Sequence, residues 1–255
     1  MGLYKAEGLV LWTRLIGESD RLVGLLTPDR GKVRAVAHGA QRGKGHLTAA
    51  VQPFVRARFV LWEGRELDGI SQAEIIAAHR HLGDGLPVLA AAGYCCEVAD
   101  ALCSERQEAA HLFALIVGAL GWLDAVPTGA SVPVLLRWFE LGALGAAGFA
   151  PQLKVCAHCG EALDPEQGAF GFSATAGGVL CTACASRLGG VSLSGSALRA
   201  LHFLAGCPSA ALAGVRVGPR TMGEMARATA VQLEEILQKP LRSRALLELG
   251  DGPPG

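Results

Sequence analysis

No stretch of this sequence is apolar for long enough to cross a membrane, and charged residues of either sign are scarce. The most apolar window, residues 109–123, is shorter than the roughly 20 residues that a spanning helix needs, and it contains His111. Charged residues make up 18% of the 255 positions, apolar residues 51%, and the formal net charge is zero. This composition argues against a disordered chain and predicts a sizeable packed core with no membrane partner.

The N-terminal stretch MGLYKAEGLVLW lacks the features of an export or lipidation signal. It has no basic segment followed by a long apolar run, and Ala6 stands where a myristoylation signal has Ser or Thr. We therefore expect a cytoplasmic protein in a reducing compartment. There the eight cysteines are expected to be thiols or metal ligands rather than disulfides.

A nucleotide-binding phosphate loop is missing as well. Residues 43–44 read Gly-Lys, but a Walker loop would need glycine in place of His38 and Ser or Thr in place of Gly45. Aromatic residues make up only 5% of the chain, and Trp12 and Trp62 are the only tryptophans between residues 4 and 76. The sequence therefore predicts no ATPase, and any nucleic-acid binding is expected to depend on backbone charge more than on base stacking.

Positive charge is concentrated near the beginning of the chain. The first 58 residues contain ten basic and four acidic side chains, an excess of six positive charges in a chain of zero net charge. This asymmetry points to a polyanionic partner, most often nucleic acid. A well-solvated β-domain without such a partner is the alternative that charge alone leaves open.

Short alternating or β-branched runs, separated by turn residues, predict five strands in the same region. They are residues 8–16, 22–27, 32–38, 54–62 and 67–76. Because side chains alternate between the faces of a strand, Lys32 and Arg34 share one face of the third strand. Arg56 and Arg58 share one face of the fourth in the same way. Five short strands with a basic face predict an OB-fold barrel, with residues 39–48 as a basic loop beside its binding surface.

From residue 81 onward the apolar residues repeat with helical spacing. Proline in first turns, Ser or Thr caps and terminal glycines predict helices at residues 87–103, 104–122, 131–147, 196–205, 221–238 and 241–249. Two of these helices are expected to begin with capping boxes, Ser104 with Gln107 and Thr221 with Glu224.

Four of the eight cysteines form two C-x-x-C pairs separated by 21 residues, namely Cys156 with Cys159 and Cys181 with Cys184. Each pair can direct two thiolates at one tetrahedral ion, so the spacing predicts a single zinc site. Four cysteine ligands fill the coordination shell, which indicates a structural metal rather than a catalytic one. The segment between the pairs has little core of its own, so the metal would supply its folding energy.

Other roles for these cysteines are disfavoured. A thioredoxin-like redox pair needs a βαβ surrounding, whereas helices and glycines flank both pairs. A zinc-dependent hydrolase needs an open coordination position and a nearby general base, which four thiolate ligands do not leave. His158 lies inside the first pair and is a less usual ligand than the cysteines around it.

These segments together predict an α+β multidomain fold. We expect an OB-fold DNA-binding domain at residues 1–80, an α-helical domain made of residues 81–150 and 189–255, and a zinc-finger-like insertion at residues 151–188. The zinc segment is expected to be an insertion because the helical spacing returns after residue 192.

Several short motifs follow one another in a characteristic order along the chain. They are EGLVL at residues 7–11, GESDR at 17–21, GKV at 31–33, GA at 39–40 before a basic loop, QPF at 52–54, SQAE at 71–74, the two cysteine pairs and PLRSR at 240–244. None of them is diagnostic alone. In their order and spacing they resemble the RecO family of bacterial recombination mediators.

The resemblance implies a non-enzymatic protein that binds single- and double-stranded DNA and anneals complementary strands. It implies two protein partners, RecR and the single-stranded DNA-binding protein, whose coating is remodelled so that the RecA recombinase can load. It also implies a cytoplasmic, nucleoid-associated location and one zinc ion that serves as a scaffold. Carried onto this sequence, the DNA-binding residues are Arg14, Arg21, Lys32, Arg34, Arg42, Lys44, Arg56 and Arg58.

An assembly scaffold, for which the partner supplies most of the DNA contact, is the alternative function. From residue 81 onward the chain has 11 basic and 15 acidic residues in largely apolar helical segments. Such a surface is less suited to DNA than to proteins.

Overall fold

The computed structural model describes residues 2–40, 45–125 and 131–250. Its first five strands are β1 (Leu3–Ile16), β2 (Asp20–Thr27), β3 (Gly31–Ala37), β4 (Arg56–Trp62) and β5 (Asp68–Ala77). A short helix, α1 (His46–Ala50), lies between β3 and β4. Part of the predicted 39–48 loop is therefore helical, and residues 41–44 of that loop lie outside the described residues.

The five strands close into a barrel with the neighbour order β1-β2-β3-β5-β4, and β4 pairs with β1 to complete it. All neighbouring pairs are antiparallel except β3 and β5, which are parallel. A small five-stranded barrel of this kind is an OB-fold, so the predicted fold class is confirmed.

The alternation of side chains between barrel core and outer surface also follows the prediction. In β3 the side chains of Val33 and Ala35 are buried, whereas Arg34 between them is exposed. β1 begins at Leu3, five positions before the predicted start at Gly8. A Cβ atom at Gly8 would lie 3.4 Å from the Phe59 ring, so this glycine makes room for a core side chain and does not end the strand.

Residue contacts divide the chain into two compact units, Met1–Val126 with Arg242–Gly255, and Pro127–Leu241. The first unit contains the barrel, α2 (Leu86–Leu102), α3 (Ala110–Ala125) and α8 (Arg244–Gly250). The division into three domains at residues 80, 150 and 188 stays a prediction, because compactness alone does not define evolutionary or functional boundaries.

Residues 104–109, which connect α2 to α3, lie along the edge of β3 and are called the strap below. The Lys32 N–H donates to the Ser104 carbonyl at 3.3 Å, and the Arg106 N–H donates to the Lys32 carbonyl at 3.2 Å. Because these backbone groups bond to the barrel, Ser104 does not start a helix, and the predicted capping box at this position is wrong.

The second unit combines a helical core with a small sheet. Helices α4 (Val132–Ala146), α6 (Gly195–Gly206) and α7 (Pro219–Leu237) pack against one another. The sheet has the order β7-β6-β8, where β6 is Ala169–Ser173, β7 is Gly178–Leu180 and β8 is Val191–Ser194, and α5 (Thr182–Leu188) follows β7. In the part of the chain that the structure describes, no helix has both the length and the apolar character to cross a membrane.

The predicted capping box at the start of α7 is wrong for a different reason. The helix begins at Pro219 with Gly218 as N-cap, before Thr221. The buried Glu224 carboxylate accepts from the Ser194 N–H at 2.8 Å and from Arg220 Nε at 3.3 Å. Glu224 therefore connects α7 to β8 and does not cap its own helix.

Candidate nucleic-acid interface and metal centre

The outward face of β3 holds Lys32 and Arg34, two of the predicted DNA-binding residues, and both already have partners. Lys32 Nζ donates to the Asp100 carbonyl at 2.7 Å and lies 3.5 Å from the Asp100 Oδ1. This carbonyl belongs to the last turn of α2, where it has no acceptor role within the helix, so Lys32 caps the negative end of α2. Arg34 Nε lies 3.0 Å from Glu105 Oε1 in the strap. With side-chain exposures of 18% for Lys32 and 43% for Arg34, Arg34 is the more accessible to a phosphate.

The outward face of β4 holds Arg56 and Arg58, as predicted. Arg56 contacts Glu7 Oε1 through Nε at 2.6 Å and Nη2 at 2.5 Å, and its side chain is half-buried. Arg58 Nη1 lies 3.5 Å from Glu74 Oε2, and the Arg58 side chain is 66% exposed. Because an exposed ion pair contributes only about 1 kcal/mol or less, Arg58 can exchange Glu74 for a phosphate at little cost.

The β1–β2 hairpin positions Arg14 and Arg21. Arg14 is exposed, and its guanidinium carbon lies 5.1 Å from the centre of the Trp12 ring. Trp12 Nε1 in turn donates to Asp100 Oδ1 at 3.0 Å, so the indole is held against α2. Arg21 is half-buried, opposite Ala37 of β3. The Arg14 side chain is therefore more accessible to a phosphate than the Arg21 side chain.

Arg42 and Lys44, the predicted basic loop residues, lie outside the described residues, but the start of their loop is described. Asp20 Oδ1 accepts from the Gly39 N–H at 2.9 Å, and Asp20 Oδ2 lies 2.7 Å from His38 Nδ1. The Gly39 N–H and then His38 lower the pKa of the Asp20 carboxyl. These contacts fix the residues that follow β3 to the start of β2.

Three residues of the same barrel are not in the predicted DNA-binding set, although the sequence analysis had considered Trp62 for base stacking. Lys5 and Arg65 are exposed, and neither has an ion-pair partner among the described residues. Trp62, at the end of β4, is 51% exposed, as is its cross-strand neighbour Leu3 at 54%. Extending the alternating pattern of β1 back to Leu3 would have placed Lys5 on the outer face. Trp62 is in phase with Arg56 and Arg58, so the alternation along the predicted fourth strand already placed it on their face.

A buried carboxylate, Asp68, fixes the loop between β4 and β5. It accepts from the Tyr4 hydroxyl, from the Gly64 N–H at 3.0 Å and from Arg106 Nη2 at 3.1 Å. Burial and then the hydrogen bond to Asp68 raise the pKa of Tyr4, so Tyr4 stays a phenol that donates to Asp68. The loop is thus connected both to β1 and to the strap.

The four cysteines come together as predicted, and their Sγ atoms all lie within 4.8 Å of one another. The Sγ atoms of Cys159 and Cys181 are 3.8 Å apart. Four sulfurs placed about 2.3 Å from a common centre form a tetrahedron with edges of about 3.8 Å, so the spacing fits a zinc-sized ion. Gly160, with φ of 78°, makes the tight turn after the first pair, and its N–H donates to the Cys156 carbonyl at 2.9 Å.

The pKa values of these thiols are shifted in opposite directions within the cluster. Burial raises the pKa of Cys156, but the backbone N–H groups of Cys159, Cys181 and His158 outweigh burial and lower this pKa to about 6. Burial and the neighbouring sulfurs raise the pKa of Cys184 to about 12. A thiolate at Cys156 surrounded by three further sulfurs is a strong ligand set for a soft divalent metal.

Two family models match almost the whole chain. The model described as Recombination protein O N terminal matches residues 1–79, and the one described as Recombination protein O C terminal matches residues 85–245. A similar relative is the DNA repair protein RecO of Symbiobacterium thermophilum, 36% identical over 249 residues, with 97% of this chain and 98% of the relative covered. The DNA repair protein RecO of Bifidobacterium adolescentis is 36% identical over 251 residues, with 97% of this chain and all of the relative covered.

Proposed function

Because the chain belongs to the recombination protein O family of DNA repair proteins, we propose that it is a non-enzymatic mediator that binds DNA and anneals complementary strands. The observation that carries the proposal is the closed OB-fold barrel whose outer surface presents Arg14, Arg34 and Arg58. OB-folds bind oligonucleotides on their outer strands and adjoining loops.

The proposed mechanism is charge neutralisation. Basic side chains on the barrel replace the counterions of two strands, so that the strands are held side by side long enough to pair. The proposed contacts are Arg14, Arg21, Lys32, Arg34, Arg42, Lys44, Arg56 and Arg58. Within this set the exposed arginines are expected to contribute most, since their carboxylate partners are also exposed and easily displaced.

The proposal includes the partners and the metal that the family resemblance implies. RecR and the single-stranded DNA-binding protein are the proposed partners, and loading of RecA is the proposed outcome in a cytoplasmic, nucleoid-associated setting. The proposed cofactor is one structural zinc ion, held by Cys156, Cys159, Cys181 and Cys184. The tetrahedral spacing of their sulfurs supports this assignment.

A salt titration of DNA binding tests the proposal. We would measure the affinity of the full-length protein for labelled single-stranded DNA by fluorescence anisotropy at several salt concentrations. Replacing Arg34 and Arg58 together by Ala is expected to lower the slope of log affinity against log salt by roughly 1 to 2, equally for all sequences. The matched control replaces Arg199 and Arg216, two exposed arginines of the second compact unit, and should leave the slope unchanged.

The assembly scaffold is the second candidate, and one observation favours it. Arg34, Arg56 and Arg58 each already face a carboxylate, so the barrel presents less unbalanced positive charge than its composition suggests. Wild-type protein that binds RecR in the absence of DNA but shows no measurable affinity for DNA would support the scaffold. Such a result would contradict the mediator proposal.

A further inference from the structure

The two tryptophans of the barrel have opposite environments. Trp12 is half-buried, donates to Asp100 of α2 and lies so close to Gly24 that a Cβ atom there would be 2.2 Å from the indole. Trp12 is therefore part of the packing between the hairpin and α2. Trp62 lies at the end of β4 and has half of its surface in solvent.

The neighbours of Trp62 leave its indole open. Its partner across β1 is Leu3, itself exposed, and its partner across β5 is Gly69, which has no side chain to cover the ring. Together the exposed tryptophan and leucine form a small apolar patch on the outer surface of the barrel. Aromatic side chains of this kind are the platforms on which OB-folds stack the bases of single-stranded nucleic acid.

The loop that follows Trp62 is held in place by close contacts and hydrogen bonds. Gly64 follows Trp62 closely, and a Cβ atom at Gly64 would lie 1.8 Å from the Leu67 carbonyl, so the loop is tightly closed. The Asp68 carboxylate accepts from the Gly64 N–H and from Arg106 of the strap. A ligand that stacks on Trp62 would therefore lose little free energy to ordering of this loop.

Unpaired positive charge flanks the platform. Lys5 is the next outward residue after Leu3 on β1, and Arg65 lies in the loop that follows Trp62; both are exposed, without an ion-pair partner in the part of the chain that the structure describes. Lys5 also lines a groove of about 430 Å³ that crosses β1, β4 and β5 and reaches Arg58; the acidic residues of this groove include Glu7 and Glu74, the ion-pair partners of Arg56 and Arg58, and Asp29. Positive charge on both sides of an exposed aromatic ring complements a nucleotide, whose base is apolar on its faces and whose phosphates are anionic.

We propose that Trp62 is a base-stacking platform for single-stranded nucleic acid, and that Lys5 and Arg65 contact the phosphates on either side of the stacked base. The inference rests on the proposed DNA-binding function and assigns it a site on the β1–β4–β5 side of the barrel. The outward β3 face, by contrast, contributes Lys32 to α2 and Arg34 to the strap.

The test compares an oligothymidylate with an abasic oligomer of the same length, since only the first has bases to stack. Trp62→Ala is expected to weaken binding of the oligothymidylate by about 30-fold, which corresponds to the middle of the range of about 1–3 kcal/mol for base–aromatic stacking, and to leave abasic binding unchanged. Trp62→Phe should recover most of the affinity. Phe203→Ala, which removes a 49% exposed aromatic side chain from the second unit, is the matched control and should change neither affinity.

A separate salt series tests the phosphate contacts. Lys5→Ala combined with Arg65→Ala is expected to lower the salt slope by roughly 1 to 2 for both oligomers, because phosphate contacts do not depend on the base. If Trp62→Ala weakens both oligomers equally, or neither, while wild-type protein still binds DNA with a salt-dependent affinity, the stacking site is wrong and the proposed function stands. If wild-type protein binds neither oligomer, both proposals are wrong.

Discussion

A basic side chain attracts DNA only to the extent that its charge is not already balanced, and the barrel residues differ in this respect. Lys32 caps α2 and is mostly buried, Arg56 is held by two contacts to Glu7, and Arg58 faces Glu74 in the open solvent. The alternation of side chains along a strand is a local property, so the sequence predicted which residues point outward. The acidic partners come from distant parts of the chain, and their positions were not predictable.

Lys32 and Arg58 should therefore respond differently to substitution. Lys32→Ala is expected to lower the free energy of unfolding by about 1–3 kcal/mol, because the Asp100 carbonyl loses its donor. Arg58→Ala should change stability by less than about 0.5 kcal/mol but reduce the salt slope of DNA binding by about 0.7. Urea unfolding and the anisotropy titration measure the two effects. A stability loss at Arg58 with none at Lys32 would contradict this reading.

Glu97 of α2 gives a pH-dependent prediction. It accepts from the Arg242 N–H at 2.9 Å and the Ser243 N–H at 2.7 Å, which holds the segment before α8. Burial raises the pKa of Glu97, but the hydrogen bonds from Ser243 and Arg242 outweigh burial and leave this pKa below its ordinary value of 4.5. Because the folded-state pKa is depressed, the stabilisation is complete above pH 4.5 and is lost as the pH falls through the folded-state pKa.

Glu97→Gln is accordingly expected to lower the free energy of unfolding at pH 7 by about 1–3 kcal/mol. The difference from wild type should shrink as the pH falls below 4.5, since wild-type Glu97 then also becomes neutral. Urea unfolding of both proteins across this range measures the effect. A difference that is constant from neutral to acidic pH would show that the carboxylate charge has no part in holding the 242–243 segment.

At the scale of elements, the sequence predicted strands and helices well where periodicity is strong, and helix starts poorly where two interpretations compete. The Ser131 and Pro133 start of α4 is confirmed: the helix begins at Val132 with Ser131 as N-cap and a proline in its first turn. Two pairs have the spacing of capping boxes, Ser104 with Gln107 and Thr221 with Glu224. The edge of β3 binds the segment at Ser104 instead, and the Glu224 carboxylate binds β8. A capping motif shows that a helix can begin at a residue. Whether the helix begins there depends on the tertiary contacts that the same groups make.

The strap makes Gly31 sensitive to substitution. Gly31 has φ of 57°, and a Cβ atom there would lie 2.0 Å from the Gln107 carbonyl of the strap. Gly39 also has a positive φ, of 67°, but nothing lies within 4 Å of its added Cβ. Gly31→Ala should therefore destabilise the protein by more than Gly39→Ala, which pays only about 1 kcal/mol of backbone strain. Equal losses in thermal unfolding of the two variants would mean that the strap does not press against β3.

Removal of the metal should unfold the segment that holds the cysteine pairs and the β7-β6-β8 sheet, while the rest of the protein stays folded. Cys156→Ser, or treatment with a chelator, is expected to reduce bound zinc to about a tenth or less and to speed hydrogen exchange within residues 152–194, because this small sheet depends on the metal. Exchange in the barrel strands should be unaffected. Cys207→Ser, which changes a thiol outside the cluster, is the control and should retain one zinc ion per chain. Normal exchange in metal-free protein would contradict the structural role.

For the whole molecule, the order of strands and the closure of the barrel depend on contacts such as β1 with β4 and Tyr4 with Asp68. Composition and periodicity do not specify such pairings: the five short strands predicted an OB-fold barrel, but not the order of its strands. The cysteine spacing predicted the cluster directly, because two C-x-x-C pairs on one tetrahedral ion allow few arrangements. Alternation along β4 places Trp62 on the outward face, but how much of the ring is exposed depends on its neighbours Leu3 and Gly69, which no local pattern specifies.

The strap also bears on how the protein can be divided for experiments. The N-terminal family model ends at residue 79, but β3 pairs with β5 only at Ala35 and Val36, and residues 104–106 bond to the edge of β3 near Gly31 and Lys32. A recombinant fragment cut at residue 79 would expose that edge as a template for strand pairing between copies. Expression of the barrel as a monomer therefore calls for a fragment that extends through α3, to residue 125.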